Sequence, residues 1–557
     1  MNYQNNLLNL PAKIMDGKGM ISVSNLKKTV GGVTLFEGAN FQIYEGEKIG
    51  LVGANGTGKT TLFRLIVGEL KPDEGSISIQ NNVRTAYFSQ SVDEMSGRTA
   101  LDEVVSGNER IRELSEKLHA YHKKLEDTSL DPDEMMSILE KMGDDQAEYE
   151  TIGGYDIESE AQEILTGLGI LPEDHNKPVE DFSGGWKMRI ALAKVLIVKP
   201  DLILMDEPTN YLDMETIIWL ENWLMNFKGA FLMTTHDREF MNGIVRKIVE
   251  ISNGKISSFT GNYDFYEREK AVLLKNNEAE FTRQQSMLKK EEDFIARFKA
   301  RASHAAQVQS RVKKIDKIER VELVPEEYEI SIELPQIPRG GNDVISIKNL
   351  GKSWADYEGK QKPVFSGLTA MVERQNRIAV VGVNGAGKTT FLKVVSGQTP
   401  ATEGEAVIGP SISIGYFGQF TLEQLDPDST VLETVQAKLP QMTEPSVRNL
   451  LASFLFRNDE VYKKIKLLSG GEKARVILSH LLSTPHNCLI LDEPTNHLDI
   501  KSRYVLLDAL KRYGGTILLV SHDRYFLKEL INRVFEVDHG RINICEGGYQ
   551  YYIDSKK

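Results

Sequence analysis

Two stretches, "GANGTGKTT" (Gly53 to Thr61) and "GVNGAGKTT" (Gly382 to Thr390), set a lysine behind spaced glycines and two threonines behind the lysine. Each lies between a short apolar run, "KIGLVG" in the first case, and a helix-like run, "TTLFRLIVGEL". Glycines so placed let backbone N–H groups close around phosphate oxygens, and the N-terminus of the following helix favours the anion. The cradles consist of Gly53, Asn55, Gly56, Gly58, Lys59, Thr60 and Thr61, and of Gly382, Asn384, Gly385, Gly387, Lys388, Thr389 and Thr390. Lys59 and Lys388 are expected to reach the β- and γ-phosphates, and the Thr60 and Thr389 hydroxyls to ligate Mg²⁺.

Downstream, "LILMDEPTNYLD" recurs as "LILLDEPTNHLD". Apolar runs ending in two acids fit buried parallel strands that deliver carboxylates to the edge of a sheet. Asp206 and Asp492 are expected in the Mg²⁺ shell, and Glu207 and Glu493, one residue on, are placed to polarise an attacking water. His236 and His522 close two further apolar runs, "GAFLMTTH" and "GTILLVSH", within reach of a γ-phosphate.

Each set of motifs needs a scaffold of its own, and the repeat supplies two. Lys59 and Lys388 are 329 positions apart, as are Gln90 and Gln419. Ser183 and Ser469 are 286 apart, as are Glu207 and Glu493. The difference, 43 residues, is an insertion in the first copy between Gln90 and Ser183. Ile111, Leu114, Leu118, Tyr121 and Leu125 recur there at helical steps, and Asp131-Pro132-Asp133 opens a second run through Met142. A two-helix arm at about 105–150 is the expectation.

Between the copies, from Asn262 to Val324, there is no glycine or proline. That predicts a long helix from about Tyr263 to Arg301, a turn at "ASHAAQVQS" and a return helix ending near Val321. "VPEEYEISIELPQIPRGGND" then reads as an extended connector. From Ile295 to Lys317, Arg297, Lys299, Arg301, Arg311, Lys313, Lys314 and Lys317 stand against the single acid Asp316, in a chain of net charge −13. A basic hairpin of this kind suits RNA phosphates, whose neutralisation releases counterions.

Two cysteines, Cys488 and Cys545, cannot build a disulfide framework and fit a reducing, cytoplasmic setting. No signal peptide and no run near ~20 apolar residues is present, so the chain is not expected to form a membrane pathway by itself. The expected fold is α/β: two P-loop ATPase domains in tandem, at 20–261 and 342–557, joined by a helical hairpin linker at 262–341. Residues 1–19 read as an N-terminal extension or tag remnant.

The ordered motifs resemble the ATP-binding cassette (ABC) superfamily over both copies. They run phosphate loop, glutamine loop ("YFSQ", "YFGQ"), "SGG" signature, paired acids, "TN-LD" loop and switch histidine. The resemblance implies ATP and Mg²⁺ as cofactors, Gln90 and Gln419 near the metal, and head-to-tail pairing of the cassettes within a monomer. Ser183, Gly184 and Gly185 would then face the second phosphate loop, and Ser469, Gly470 and Gly471 the first. It also implies an adenine-stacking ring at Trp354, which Val30 replaces in the first copy, and hence two unequal sites. Trp186 departs from the usual acid or amide of the signature, and Tyr211 stands where His497 does in the second copy.

Two cassettes on one chain, a long charged linker and an arm in the first cassette resemble the ABC-F family, nearest its bacterial YbiT type. This implies a translation factor on the ribosome that enters the tRNA exit (E) site, its linker meeting P-site tRNA and large-subunit rRNA near the peptidyl-transferase centre. The alternatives are an antibiotic-resistance member of the same family and, more remotely, the ATPase component of a transporter.

Overall fold

The computed structural model describes residues 19–89, 95–125, 131–298, 305–316, 318, 332–355, 361–496, 498–538 and 540–556. In the first cassette a six-stranded sheet runs in the order Thr85–Phe88, Leu202–Asp206, Ala230–Thr234, Lys48–Val52, Lys247–Ser252 and Lys255–Thr260. All neighbours pair parallel except the last two, which form an antiparallel hairpin. A three-stranded antiparallel sheet (Val33–Tyr44, Gly19–Val30, Glu74–Ile79) lies beside it. The second cassette repeats the plan, with Ile414–Phe417, Cys488–Asp492, Thr516–Val520, Arg377–Val381, Arg533–Asp538 and Arg541–Cys545 in its main sheet.

The acid-bearing strands are buried on both faces, as their unbroken apolar runs require. Leu202 and Leu204 enter one core of the first cassette, and Ile203 and Met205, pointing oppositely, enter the other. Cys488 and Ile490, against Leu489 and Leu491, do the same in the second. In this strand order the phosphate-loop strand and the acid strand flank the strand that leads to the switch histidine. Three chemistries thereby meet at one sheet edge.

The insertion forms two helices, Glu109–Leu125 and Pro132–Thr151, joined by Arg110–Glu148 (2.6 Å) and Tyr121–Asp145 (3.0 Å) contacts. The linker helix spans Tyr263–Phe298, 36 residues and roughly 54 Å at 1.5 Å rise. Its return helix is Ala305–Asp316. The expected turn was therefore drawn too wide: Ala305 to Ser310 are helical, as alanines and glutamines favour, and Val308 is buried in the hairpin. The remainder of the turn, and the expected end of the return helix near Val321, lie outside the described residues, as do residues 1–18. Residues 332–342 enter the second cassette without regular structure, as the connector reading expected.

Candidate nucleotide sites between the cassettes

Each phosphate loop turns from strand to helix through a left-handed glycine, Gly58 (φ 99°) or Gly387 (φ 101°). Among the described residues no side chain caps the Lys59–Ile66 or Lys388–Val395 helix and no acid sits in its first turn, which leaves these N–H groups available to an anion. The loop packs too closely for a side chain at its first glycine. A Cβ on Gly382 would lie 2.3 Å from the Val537 carbonyl oxygen. Lys59 Nζ donates to the Gly53 (2.9 Å) and Ala54 (3.1 Å) carbonyls, and Lys388 Nζ to those of Gly382 (2.8 Å) and Val383 (3.0 Å). Each ammonium is thus curled over its own cradle, and burial lowers the pKa of both lysines.

Thr60 Oγ1 donates to Asp206 Oδ2 (2.6 Å), and Thr234 Oγ1 to Asp206 Oδ1 (2.7 Å). Asp492 accepts from Thr389, and burial pushes its carboxyl up to about 6. Among the described residues no cluster of three or more His, Cys, Asp or Glu could hold a metal without other ligands. A hydroxyl and one carboxylate per site fit Mg²⁺, which takes oxygen ligands and completes its shell with water and phosphate. Gln90 lies outside the described residues, and so does the side chain of Gln419.

Glu207 and Glu493 both adopt left-handed backbone, φ 55° and 52°. Strain of this kind, present twice, turns each side chain from the strand towards its histidine. His236 Nε2 lies 3.3 Å from Glu207 Oε1, and His522 Nε2 lies 3.3 Å from Glu493 Oε1. Burial raises the Glu207 pKa to about 7, with Asp206 adding to the rise and Lys59 opposing it. Burial, with the positive charges of Arg503 and Lys59, lowers that of His236 and keeps the ring neutral. The folded pKa of Glu207 lies above its unfolded value of 4.5, so stability present below pH 4.5 is lost as pH rises through about 7. That loss is about 3 kcal/mol. Glu207→Gln should therefore raise the melting temperature of the nucleotide-free protein at pH 8 and leave it nearly unchanged at pH 5. Equal melting shifts at both pH values, read by calorimetry, would contradict the assignment.

The cassettes complete one another. Ser183, Gly184 and Gly185 of the first share a cavity of about 730 Å³ with Asn384, Thr389, Asp492, Glu493 and His522 of the second. The Asn384 N–H donates to Asp213 Oδ2 (3.3 Å), and Asp213 is held by buried Arg189 (3.1 Å). In the reciprocal direction Asp499 acts on the Lys59 ammonium. Met214 packs into a core of the second cassette and Ile500 into a core of the first. The signatures differ locally. Ser469 and Glu472 form a reciprocal capping box, whereas Trp186 takes the acid's place and lies under Arg189 (4.5 Å). Among the described residues Ser183 makes no side-chain cap bond. Gly470 and Gly471 open the helix Gly470–Ser483. Trp354, 46% exposed under the Lys352 ammonium (4.4 Å), and Val30, 49% exposed, stand at or beside the ends of matching strands, and neither lines the 730 Å³ cavity.

Several interface residues were not singled out from the sequence. Arg503 Nη1 donates to the His236 carbonyl (3.2 Å) and to Asp523 (2.9 Å). Arg238, two residues beyond His236, binds Asp264 (2.6 Å) and Glu267 (2.8 Å) at the root of the linker and also donates to Tyr504. Tyr504 in turn donates to Glu267 (3.1 Å). Arg524, the repeat partner of Arg238, holds Glu221 (2.9 Å). The twice-written "HDR" was an available signal; Arg503 and Tyr504, matched by Ile217 and Ile218, gave none.

Of the basic linker residues, Arg297, Lys313 and Lys314 are exposed. Arg311 pairs with Glu291 and covers the Phe294 ring (3.9 Å), and Lys314 lies 3.3 Å from Glu291. Lys299, Arg301 and Lys317 lie outside the described residues.

The second phosphate loop facing the first cassette's signature, with Asp499 of the second cassette acting on Lys59 of the first, defines a tandem ABC ATPase. The family model described as "ABC transporter" matches residues 36–210 and 365–496, and an extension model of the same description matches 249–334. The chain is 36% identical over 96% of its length to "ABC transporter F family member 5" of Arabidopsis thaliana, covering 77% of that protein. It is 34% identical over 96% of its length to "Putative ATP-binding protein YdiF" of Bacillus subtilis, covering 83% of it. The chain belongs to the ABC transporter F (ABC-F) family, and it is an ATPase. Its fold is similar to that of an archaeal ABCE1 solved with the ribosomal stalk protein aP1 (TM-score 0.60, 18% identity, 95% of this chain and 92% of that one). It is also similar to a model of ribosome-bound archaeal Pelota and ABCE1 (TM-score 0.57, 19% identity, 96% and 80%). Among the described residues no helix is long and apolar enough to cross a membrane.

Proposed function

We propose that this chain is an ATP-driven clamp of the ribosome. It enters the tRNA exit site with its cassettes closed on two ATP molecules and leaves after hydrolysis. The observation that carries this reading is the network at Arg238. One guanidinium ties the segment after the switch histidine of the first cassette, Tyr504 of the second and the root of the linker hairpin. Closure around nucleotide and the angle of the hairpin are then set by the same contacts. The ribosomal settings of the two archaeal neighbours support the choice of partner.

In each site the glycine loop and the lysine bind and orient the phosphates. Mg²⁺ would be held by Thr60 and Asp206 with Gln90, and by Thr389 and Asp492 with Gln419, neutralising charge on the β- and γ-oxygens. Glu207 and Glu493 accept a proton from the attacking water. His236 and His522 fix those carboxylates and face the γ-phosphate. The opposite signature serine and glycines close the shell, so hydrolysis releases the contact between cassettes. The exposed basic residues of the hairpin meet P-site tRNA and large-subunit rRNA. The protein acts as a cytoplasmic monomer.

Co-sedimentation with ribosomes at moderate salt tests the reading. More protein should pellet with ATP than with ADP; equal pelleting, or pelleting with membrane vesicles instead, would contradict it. Trp354 stacks on the adenine of the second site, so Trp354→Ala should weaken nucleotide binding there by about 1–3 kcal/mol. A fluorescent ATP analogue titrated into the Lys59→Ala background measures this, and an unchanged affinity would remove Trp354 from the site.

A further inference from the structure

The residues that lead into each cassette repeat as the cassettes themselves do. Ile21 and Ile345 hold matching places on the first strand of each cassette, 324 positions apart. At that same spacing Leu8-Asn9-Leu10-Pro11 answers Ile332-Glu333-Leu334-Pro335. In the second cassette this lead-in has a seat. Ile332 is only 1% exposed and lies with Ser453, Phe454, Val505 and Leu506. Leu334 and Ile337 pack against the same core, and Asn487 Nδ2 reaches the Pro338 carbonyl (3.5 Å).

The first cassette carries the corresponding face. At the 286-residue spacing, Ser453, Asn487, Val505 and Tyr513 correspond to Gly167, Asp201, Trp219 and Phe227. The spacing holds through this region, because the Ile170–Leu165 backbone bond (2.9 Å) is matched by Phe456–Leu451 (2.9 Å). Here, however, the described residues leave the face open. A cavity of about 920 Å³ runs along Asn82, Val83, Asp201, Trp219, Trp223 and Phe227, and one of about 580 Å³ adjoins it at Gly167 and Trp219. Trp219, Trp223 and Phe227 are half-buried, whereas Tyr513, the counterpart of Phe227, is 5% exposed. Half-covered aromatic rings in a row mark a surface shaped for an apolar segment. Met20 lines the larger cavity, so the chain before it departs from the rim. Leu8 precedes Met20 by as many residues as Ile332 precedes Val344, and that length suffices in the second cassette.

We propose that residues 8–15 are the missing lead-in of the first cassette. They seat along this groove, with Leu8 beside Gly167 and Trp219, as residues 332–339 seat on the second. The occupant is this chain's own segment, which makes it part of the cassette rather than a tag. It straps the Met214–Asn226 helix, whose capping Asp213 meets the other cassette's phosphate loop.

A photoreactive benzoylphenylalanine at position 8 of the full chain, irradiated at low concentration, tests the placement. The expected products are intrachain cross-links into 159–167 or 219–229. Cross-links elsewhere, none above a probe at Asn2, or cross-links chiefly between two copies overturn it. Full-length Leu8→Asp with Leu10→Asp gives a second readout. Amide exchange across 216–229 should quicken about tenfold while the second cassette is unchanged; unaltered exchange at 216–229 also overturns the proposal.

Discussion

The paired substitution Glu207→Gln and Glu493→Gln should lower ATP hydrolysis by about 10²–10⁴-fold while ATP still binds. An amide keeps the shape of the carboxylate and its place beside the histidine 3.3 Å away, yet it cannot take a proton from water. With release blocked, the closed cassettes should stay on ribosomes: pelleting should rise above wild type with ATP and translation in an extract should slow. Single substitutions should be unequal. Glu207 is 5% exposed with its pKa raised by burial, whereas among the described residues neither Glu493 side-chain oxygen has a hydrogen-bond partner. A double variant that hydrolyses ATP at the wild-type rate would remove both residues from the chemistry.

The second large effect lies in the hairpin, and the structure changes which residues should be altered. Arg311 and Lys314 share Glu291, so reversing their charge would break the hairpin's own packing along with any RNA contact. Arg297 and Lys313 are exposed, and Arg297→Glu with Lys313→Glu should leave basal ATPase unchanged. Ribosome affinity should fall about tenfold or more, and the dependence on log salt should flatten by about one per lost phosphate contact. Binding measured from low to moderate salt checks both. An unchanged affinity would show that these charges serve solubility, the ordinary role of a solvated helix face.

The meeting of Lys59, Asp206, Glu207 and His236 at one sheet edge was legible because each stands at or just after the end of an apolar run that is written twice. The arm was legible from the mismatch between repeats and the linker from its lack of helix breakers. The contacts between cassettes were not. Arg503 reaches the His236 carbonyl from far along the chain, and its repeat partner is Ile217, so neither periodicity nor symmetry marks it. Likewise, composition counts the basic residues of the linker but cannot show that Glu291 already engages two of them. The turn was misjudged for a related reason: small residues were read as a break, although alanine is the strongest helix former.

The central claim is that ATP closure drives the Tyr263–Asp316 hairpin into the ribosome. A cryo-electron microscopy map of the Glu207→Gln, Glu493→Gln protein on ribosomes with ATP tests it most directly. The account predicts two nucleotides between closed cassettes and hairpin density in the tRNA exit site, its basic end against tRNA and rRNA. Closed cassettes on the ribosome with the hairpin facing solvent, or no ribosome-bound particles at all, would contradict it.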